Sequence, residues 1–352
     1  MGERRTAFRL EGLERLWIAF VAVMLALFLG AGFILWAGKS PLVGYEALWQ
    51  GSFGSLQNFG ELTVSMTPLV FTGLAIAVAY RAGLFNIGAE GQFIVGQIAG
   101  AWAGAASVFQ GWPAWAHIPA ALLVGFLAGG LWAAVPGLLK AYRGVHEVIN
   151  TIMMNYVALY FTHWLVMGPL RADPYLPVTK EILSSAKLWR FLPPSRANLG
   201  IAVALLAALG VWYLMWKTSV GYGIRAVGHN PSAAEYAGIP VARNMLLAML
   251  ISGGLAGLGG TVWVLGVQHK FYDIFTFTNY GFDGIAVALL GNNNPLGVVG
   301  GALLFGIFSR GAQQMQAVAD IPKEIISIVT AVVIILVAAD QIIRSLGRRR
   351  AA

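Results

Sequence analysis

Of the 352 residues, 58% are hydrophobic and only 11% are charged, whereas a soluble domain carries about a quarter charged residues. With a mean hydropathy of +0.72, the chain has too few charges to cover a water-exposed surface, so lipid must cover much of it. The net charge of +8 does not mark a nucleic-acid binder, because the basic residues are not gathered into one patch with aromatics. The absence of cysteine excludes disulfides, thiolate metal sites and cysteine nucleophiles.

Arg4, Arg5, Arg9 and Arg15 precede the first apolar run, at 16–37. A signal-peptide core spans about 7–15 residues, and this run is about bilayer length, so it reads as a retained first span. Nine more apolar segments follow, at 60–80, 88–108, 116–139, 146–167, 199–216, 244–265, 283–291, 296–317 and 322–342. The segment at 283–291, within "GFDGIAVALLGNNNPLG", is short and broken by Gly and Asn. It is expected as a half-helix, or as a span starting upstream near Phe275. The fold class is therefore an all-α integral membrane protein of about ten transmembrane helices.

With the N-terminus inside, the cytoplasmic segments hold Arg4, Arg5, Arg9, Arg15, Arg81, Lys140, Arg143, Lys217, Arg225, Arg243, Arg344, Arg348, Arg349 and Arg350, which is 14 of the 23 Lys and Arg. The positive-inside rule then places both termini in the cytoplasm. The loop 168–198 runs against it, with Arg171, Lys180, Lys187, Arg190 and Arg196 on the outside. Reversing the layout would strand the basic tails outside, so it stands. Ten spans divide into halves at 16–167 and 199–342, and an odd number of spans per half inverts the second against the first. Gly88-Ala89-Glu90-Gly91 at the third span and Gly281-Phe282-Asp283-Gly284 at the eighth echo that relation. Chance in a glycine-rich chain explains four positions equally well.

Gly96/Gly100/Gly104, Gly125/Gly129, Gly253/Gly257 and Gly297/Gly301 repeat every four residues. Small residues on one helix face let helices approach closely, which indicates a bundle and not a function. "AGKSP" at 37–41 has the end of a phosphate loop, but Phe33 stands where that loop needs glycine. The five histidines are scattered and form no HExxH motif, so no catalytic residues and no metal or cofactor site are expected. Transport against a gradient would need a partner or an ion gradient.

Two segments stand out. "RAGLFNIGAEGQFIVGQIAGAWAG", 81–104, sets Asn86, Glu90, Gln92 and Gln97 among apolar residues, where each needs a partner or a job. An ion pair of Glu90 with Arg81 or Arg143 would be a purely structural reason. Between the sixth and seventh spans lies "TSVGYGIRAVGHNPSAAEYAGIPVARN", within the cytoplasmic loop 217–243. Asn230 is a good N-cap, Pro231 a good first helical residue, and Gly238 can end the helix in left-handed geometry. A short capped helix of this kind suits docking into a partner's groove, and a plain membrane-surface connector is the alternative.

"GLFNIGAEGQ" at 83–92, "GVHEVINTIMMNY" at 144–156 and "GHNPSAAEYAGI" at 228–239 together resemble permease subunits of nucleoside ABC importers, in the wider group with ribose, other simple-sugar and branched-chain amino acid permeases. The resemblance implies a single permease domain, 1–352, with the ten-span fold of the vitamin B12 importer. It also implies a cytoplasmic ABC ATPase, a second permease subunit and an extracytoplasmic substrate-binding lipoprotein, at a bacterial cytoplasmic membrane. The long form with "GLFNIGAEGQ" is similar to the larger of two paired permeases, which favours a heterodimer. By the resemblance, Gly228, Asn230, Ala233, Ala234, Tyr236 and Gly238 form the helix that touches the ATPase. The junction of spans two and three and the start of span five form the inner gate. Asn86, Glu90, Gln92, His146, Glu147, Asn150 and Thr151 would line that gate. Gln97, Asn155, Tyr156 and Ser65 would lie deeper on a nucleoside path, while Trp112, Trp115 and Trp189 fit an interfacial belt. A simple sugar is the alternative substrate. An ion-coupled secondary transporter or a channel is the rival class, and neither needs a docking helix.

Overall fold

The computed structural model of the chain describes residues 21, 23–322, 324–332, 335 and 336. The basic tails and the outer parts of the expected first and tenth spans lie outside the described residues.

Helices follow the apolar segments in order. They are α1 (Val23–Trp36), α2 (Pro41–Phe53), α3 (Leu56–Arg81), α4 (Ala89–Ala105), α5 (Ala114–Arg143), α6 (Glu147–Met167), α7 (Gly200–Lys217), α8 (Ser219–His229), α9 (Pro231–Tyr236), α10 (Val241–Trp263), α11 (Tyr280–Leu290) and α12 (Pro295–Ala319). Residues 324–332 are helical again. α10 continues as a wider π turn over Val264–Gln268. Among the described residues the only β pairing is two isolated bridges, Val178 with Tyr272 and Arg190 with Asn198. Five helices, α3, α5, α7, α10 with its π turn, and α12, are long and apolar enough to cross a membrane. α2 and α8 were not expected. α2 starts on Pro41 and runs 13 residues, too short to cross the about 30 Å hydrocarbon layer.

The chain forms two compact units, one of 1–59 with 304–352 and one of Gly60–Leu303. In the first, Lys39 pairs with Asp320 at 2.7 Å, Tyr45 donates its hydroxyl proton to the Leu27 carbonyl, and Ser52 donates to the carbonyl of Ile307 at 3.2 Å.

In the second unit, α4, α5 and α10 meet backbone to backbone. A Cβ placed on Gly96 would lie 2.1 Å from the Gly257 carbonyl oxygen, one on Gly129 2.3 Å from that of Gly253, and one on Gly257 2.4 Å from that of Gly125. The glycine repeats therefore face one another, and the tight approach of the backbones supplies dispersion that lipid would otherwise provide. The segment 168–198 is pinned to this core by main-chain bonds. Leu183 N–H reaches the Gly104 carbonyl at 2.8 Å, Ile182 N–H that of His269 at 2.9 Å and Leu188 N–H that of Leu265 at 3.0 Å. Arg196 forks onto Glu61, with its Nη2 2.7 Å from Oε2.

The contacts at Gly257 and the open space at Gly210 on α7 make a matched test. Gly257→Leu should abolish a monodisperse peak in detergent, because overpacking costs about 1–3 kcal/mol even where a core can relax. Gly210→Ala should leave the melting temperature unchanged or raise it, since glycine in a helix costs about 0.5–1 kcal/mol against alanine.

Candidate functional site

α11 has 11 residues, a rise of about 16 Å, roughly half the hydrocarbon thickness. In a hydrocarbon layer a helix of this length would leave at least one end inside, where main-chain N–H and C=O groups need partners. The α3–α4 hairpin supplies a partner at each end. At the N-terminus, Glu90 is fully buried. Its Oε1 accepts from Thr278 Oγ1 at 2.6 Å and Asn279 N–H at 3.0 Å, and its Oε2 accepts from Gly281 N–H at 2.6 Å. At the C-terminus, Arg81 donates to the carbonyls of Asn293 at 3.1 Å and Asn292 at 3.4 Å. Anion at the N-terminus and cation at the C-terminus match the helix dipole. The two echoing motifs meet here, since a Cβ on Gly281 would lie 2.3 Å from the Glu90 nitrogen. Thr72 of α3 adds a bond to the Tyr280 carbonyl at 2.8 Å.

Glu90 therefore makes no ion pair with Arg81 or Arg143. Arg81 is engaged a helix length away, its guanidinium over the Trp216 ring at 5.3 Å, with Arg225 at 5.8 Å from the same ring. Sequence reasoning missed this because nothing in "GFDG" or "GNNNP" announces which charge will cap it.

Asn86 and Gln92 bond reciprocally, at 2.9 and 3.1 Å. Asn86 also donates to Ser252 Oγ at 2.8 Å and accepts from Gly88 N–H at 3.0 Å. Its hydrogen-bonding capacity is full. Asn155 of α6 accepts from Gly91 N–H at 2.8 Å and donates to the Ile87 carbonyl at 3.0 Å. In this conformation Asn86, Glu90, Gln92 and Asn155 are thus buried braces and do not face an open path. Gln97 is also buried, and neither its Oε1 nor its Nε2 has a partner. At the start of α6, His146 is exposed. Glu147 pairs with Lys140 at 2.8 Å, Thr151 is buried against the carbonyl of Glu147, and Asn150 keeps a buried, unpartnered Nδ2. Ser65 bonds back to the Glu61 carbonyl. Tyr156 is half-exposed and meets Phe277 edge-on at 5.1 Å.

The expected docking helix has the expected caps. Asn230 Oδ1 accepts from Ala233 N–H at 3.0 Å. Gly238 sits at φ 76, with Gly238 N–H on the Glu235 carbonyl and Ile239 N–H on that of Ala234, both at 2.9 Å. That is the Schellman pattern. Tyr236 is 95% exposed while Ala234 is buried, so Tyr236 is on the free face and Ala234 on the inner one. Gly228, expected at the docking surface, is half-buried and lies against α3, where a Cβ on it would be 2.1 Å from the Arg81 carbonyl oxygen. α8 is capped by Thr218, which accepts from Gly221 N–H at 3.1 Å. That threonine was the overlooked sequence signal.

Residues 58–338 match the family of branched-chain amino acid transport system permease components. The chain belongs to this permease family. The guanosine ABC transporter permease protein NupP of Bacillus subtilis (strain 168) is 45% identical over 94% of this chain and 95% of the relative. The nucleoside ABC transporter permease protein NupB of Lactococcus lactis subsp. cremoris (strain MG1363) is 38% identical over 93% and 91%. The glucose ABC transporter permease protein TsgB13 of Haloferax volcanii is 30% identical over 91% and 87%. Within this permease, charge-assisted caps occupy both ends of a half-length helix.

Glu90→Leu should lower the melting temperature by several degrees, since each buried donor left unpaired costs about 1–3 kcal/mol. Glu90→Gln should fall nearly as far, because its Nε2 would face the Gly281 N–H, donor against donor. The double swap Arg81→Glu/Glu90→Arg should rescue neither stability nor uptake. Recovery by that swap would show a direct pair between them.

Proposed function

We propose that this chain is the membrane-spanning permease subunit of an ATP-binding-cassette importer that moves nucleosides into the cytoplasm by alternating access. ATP is hydrolysed on a partner ATPase. The observation that carries this reading is a continuous mechanical link. α9 presents Tyr236 on a capped helix, α8 continues from α9 to Gly228, and Gly228 lies against the main chain of Arg81, whose side chain holds the end of α11. A force applied to α9 by an ATPase reaches Arg81 through a main-chain contact and the end of the half-helix through the Arg81 guanidinium. Close approach of backbones leaves little slack for it to dissipate.

In this reading the chain has about ten spans, in inverted halves at 16–167 and 199–342, with 217–243 as the coupling loop and 168–198 as the external loop. Both termini are cytoplasmic. The meeting of "GAEG" with "GFDG" supports the inverted relation, because two-fold-related elements meet at their axis. Asn86, Glu90, Gln92, His146, Glu147, Asn150 and Thr151 form the inner gate, closed in this conformation by the Asn86–Gln92 and Asn155 bonds. Gln97, with its unpartnered amide, belongs to the path that opens when they part. Nucleosides are the substrate class because guanosine and nucleoside permeases are 45% and 38% identical over most of the chain. The 30% identical glucose permease makes a simple sugar the second reading. A paralogous permease subunit and an extracytoplasmic binding lipoprotein complete the importer.

The test is reconstitution in proteoliposomes with the ATPase, the second permease and the lipoprotein, assaying nucleoside uptake. The purified chain alone should hydrolyse no ATP. Gly238→Trp should insert and fold but reduce uptake at least about tenfold, because a left-handed residue is strained by a Cβ and the docking face is spoiled. Undiminished uptake by Gly238→Trp, with the ATPase still bound, would refute the coupling assignment.

A further inference from the structure

At the start of α11 two polar side chains stand without partners. Asn279, at the N-cap of α11, and Asp283, one turn into the helix, are four residues apart, and both are exposed. Among the described residues neither side chain makes a hydrogen bond or an ion pair, whereas the Asn279 N–H is held by Glu90. Asn279 has φ 67 and ψ −2, the left-handed geometry that asparagine adopts more readily than most residues other than glycine. Beside them is an aromatic cluster. Phe277 lies edge-on between Tyr156 of α6 at 5.1 Å and Phe282 at 5.7 Å.

The C-terminus of α11 is at Arg81, the end of the spanning helix α3, so its N-terminus is the end inside the apolar layer. Lipid cannot cover an unpaired carboxylate at that depth, and an acid there is a functional site by default. A carboxylate only accepts hydrogen bonds, so it selects hydroxyl and N–H donors, while the carboxamide of Asn279 both donates and accepts. Aromatic rings offer stacking to a planar base at about 1–3 kcal/mol per base. The negative charge of Asp283, near that of Glu90, disfavours phosphate.

We propose that Asp283, Asn279, Phe277 and Tyr156 form a translocation subsite that reads a neutral ligand by its vicinal hydroxyls and planar ring, a ribonucleoside and not a nucleotide. This rests on the importer reading above. The carboxylate of Asp283 accepts from the ribose hydroxyls, Asn279 fixes the sugar's orientation, and the rings take the base.

The experiment uses the whole importer in proteoliposomes, with radiolabelled guanosine, 2′-deoxyguanosine and guanosine monophosphate. Asp283→Ala should lower guanosine uptake about tenfold or more, the worth of a hydrogen bond to a charged group. It should lower deoxyguanosine uptake less, so that the preference between the two collapses. Asp283→Asn, which keeps the shape and one acceptor, should retain an intermediate guanosine rate. Parental rates and an unchanged preference in Asp283→Ala overturn the subsite. So does dissociation of the Asp283→Ala complex on gel filtration, which would make Asp283 a contact with the second permease. If the parent importer takes up glucose and no nucleoside, the nucleoside reading falls. Loss of glucose uptake in Asp283→Ala then still upholds the hydroxyl-reading carboxylate, and its persistence overturns it.

Discussion

A helix that ends inside a bilayer is possible only if something else satisfies its ends. The N–H groups of Asn279 and Gly281 would each cost kilocalories if left to hydrocarbon, and the carbonyls of Asn292 and Asn293 follow the other end. Glu90 and Arg81 meet them, and both belong to the α3–α4 hairpin. Because one hairpin holds both ends, α11 is bound to the motion of that hairpin. The charges are also ordered to suit the dipole, so exchanging them would oppose it at both termini. Much else follows from this constraint. Asn86, Gln92, Ser252 and Asn155 fix the turn that carries Glu90, and Gly281 must lack a side chain so that the Glu90 backbone can approach.

The same hairpin meets α8 at Gly228. A contact between two main chains transmits displacement differently from a contact between long side chains, since rotamer changes cannot absorb it. The stack of arginines on Trp216 lies next to this junction. It fills the space beside α7 with a polarisable, electrostatically matched contact.

Most of the helical architecture was legible because hydropathy in a membrane chain is a strong signal. Every apolar segment that falls in the described residues is helical, and the half-length of 283–291 was visible in its Gly and Asn punctuation. The caps of α9 could be read from "NPSAAEYAG" because capping is local chemistry. What could not be read depends on distant partners. Glu90 and Gly281 are almost two hundred residues apart in sequence, and the choice between an ion pair with Arg81 and a helix cap turns on tertiary geometry alone. The contact of Gly228 with the Arg81 main chain was hidden for the same reason, since a glycine carries no sign of the backbone it meets. α2 escaped notice because 13 residues of mixed polarity lie below the length that hydropathy detects.

The six-residue helix α9 is too short to persist on its own, because nucleating a helix costs more than one turn returns. Asn230 at one end and Gly238 at the other hold it formed in the free subunit. The loss of conformational freedom that docking would otherwise demand has thus already occurred during folding. A partner docking at this surface would meet a rigid shape, with little ordering to oppose it. The strength of that docking would then be set by the face that Tyr236 presents, and the loop's own tendency to fold would contribute little to it.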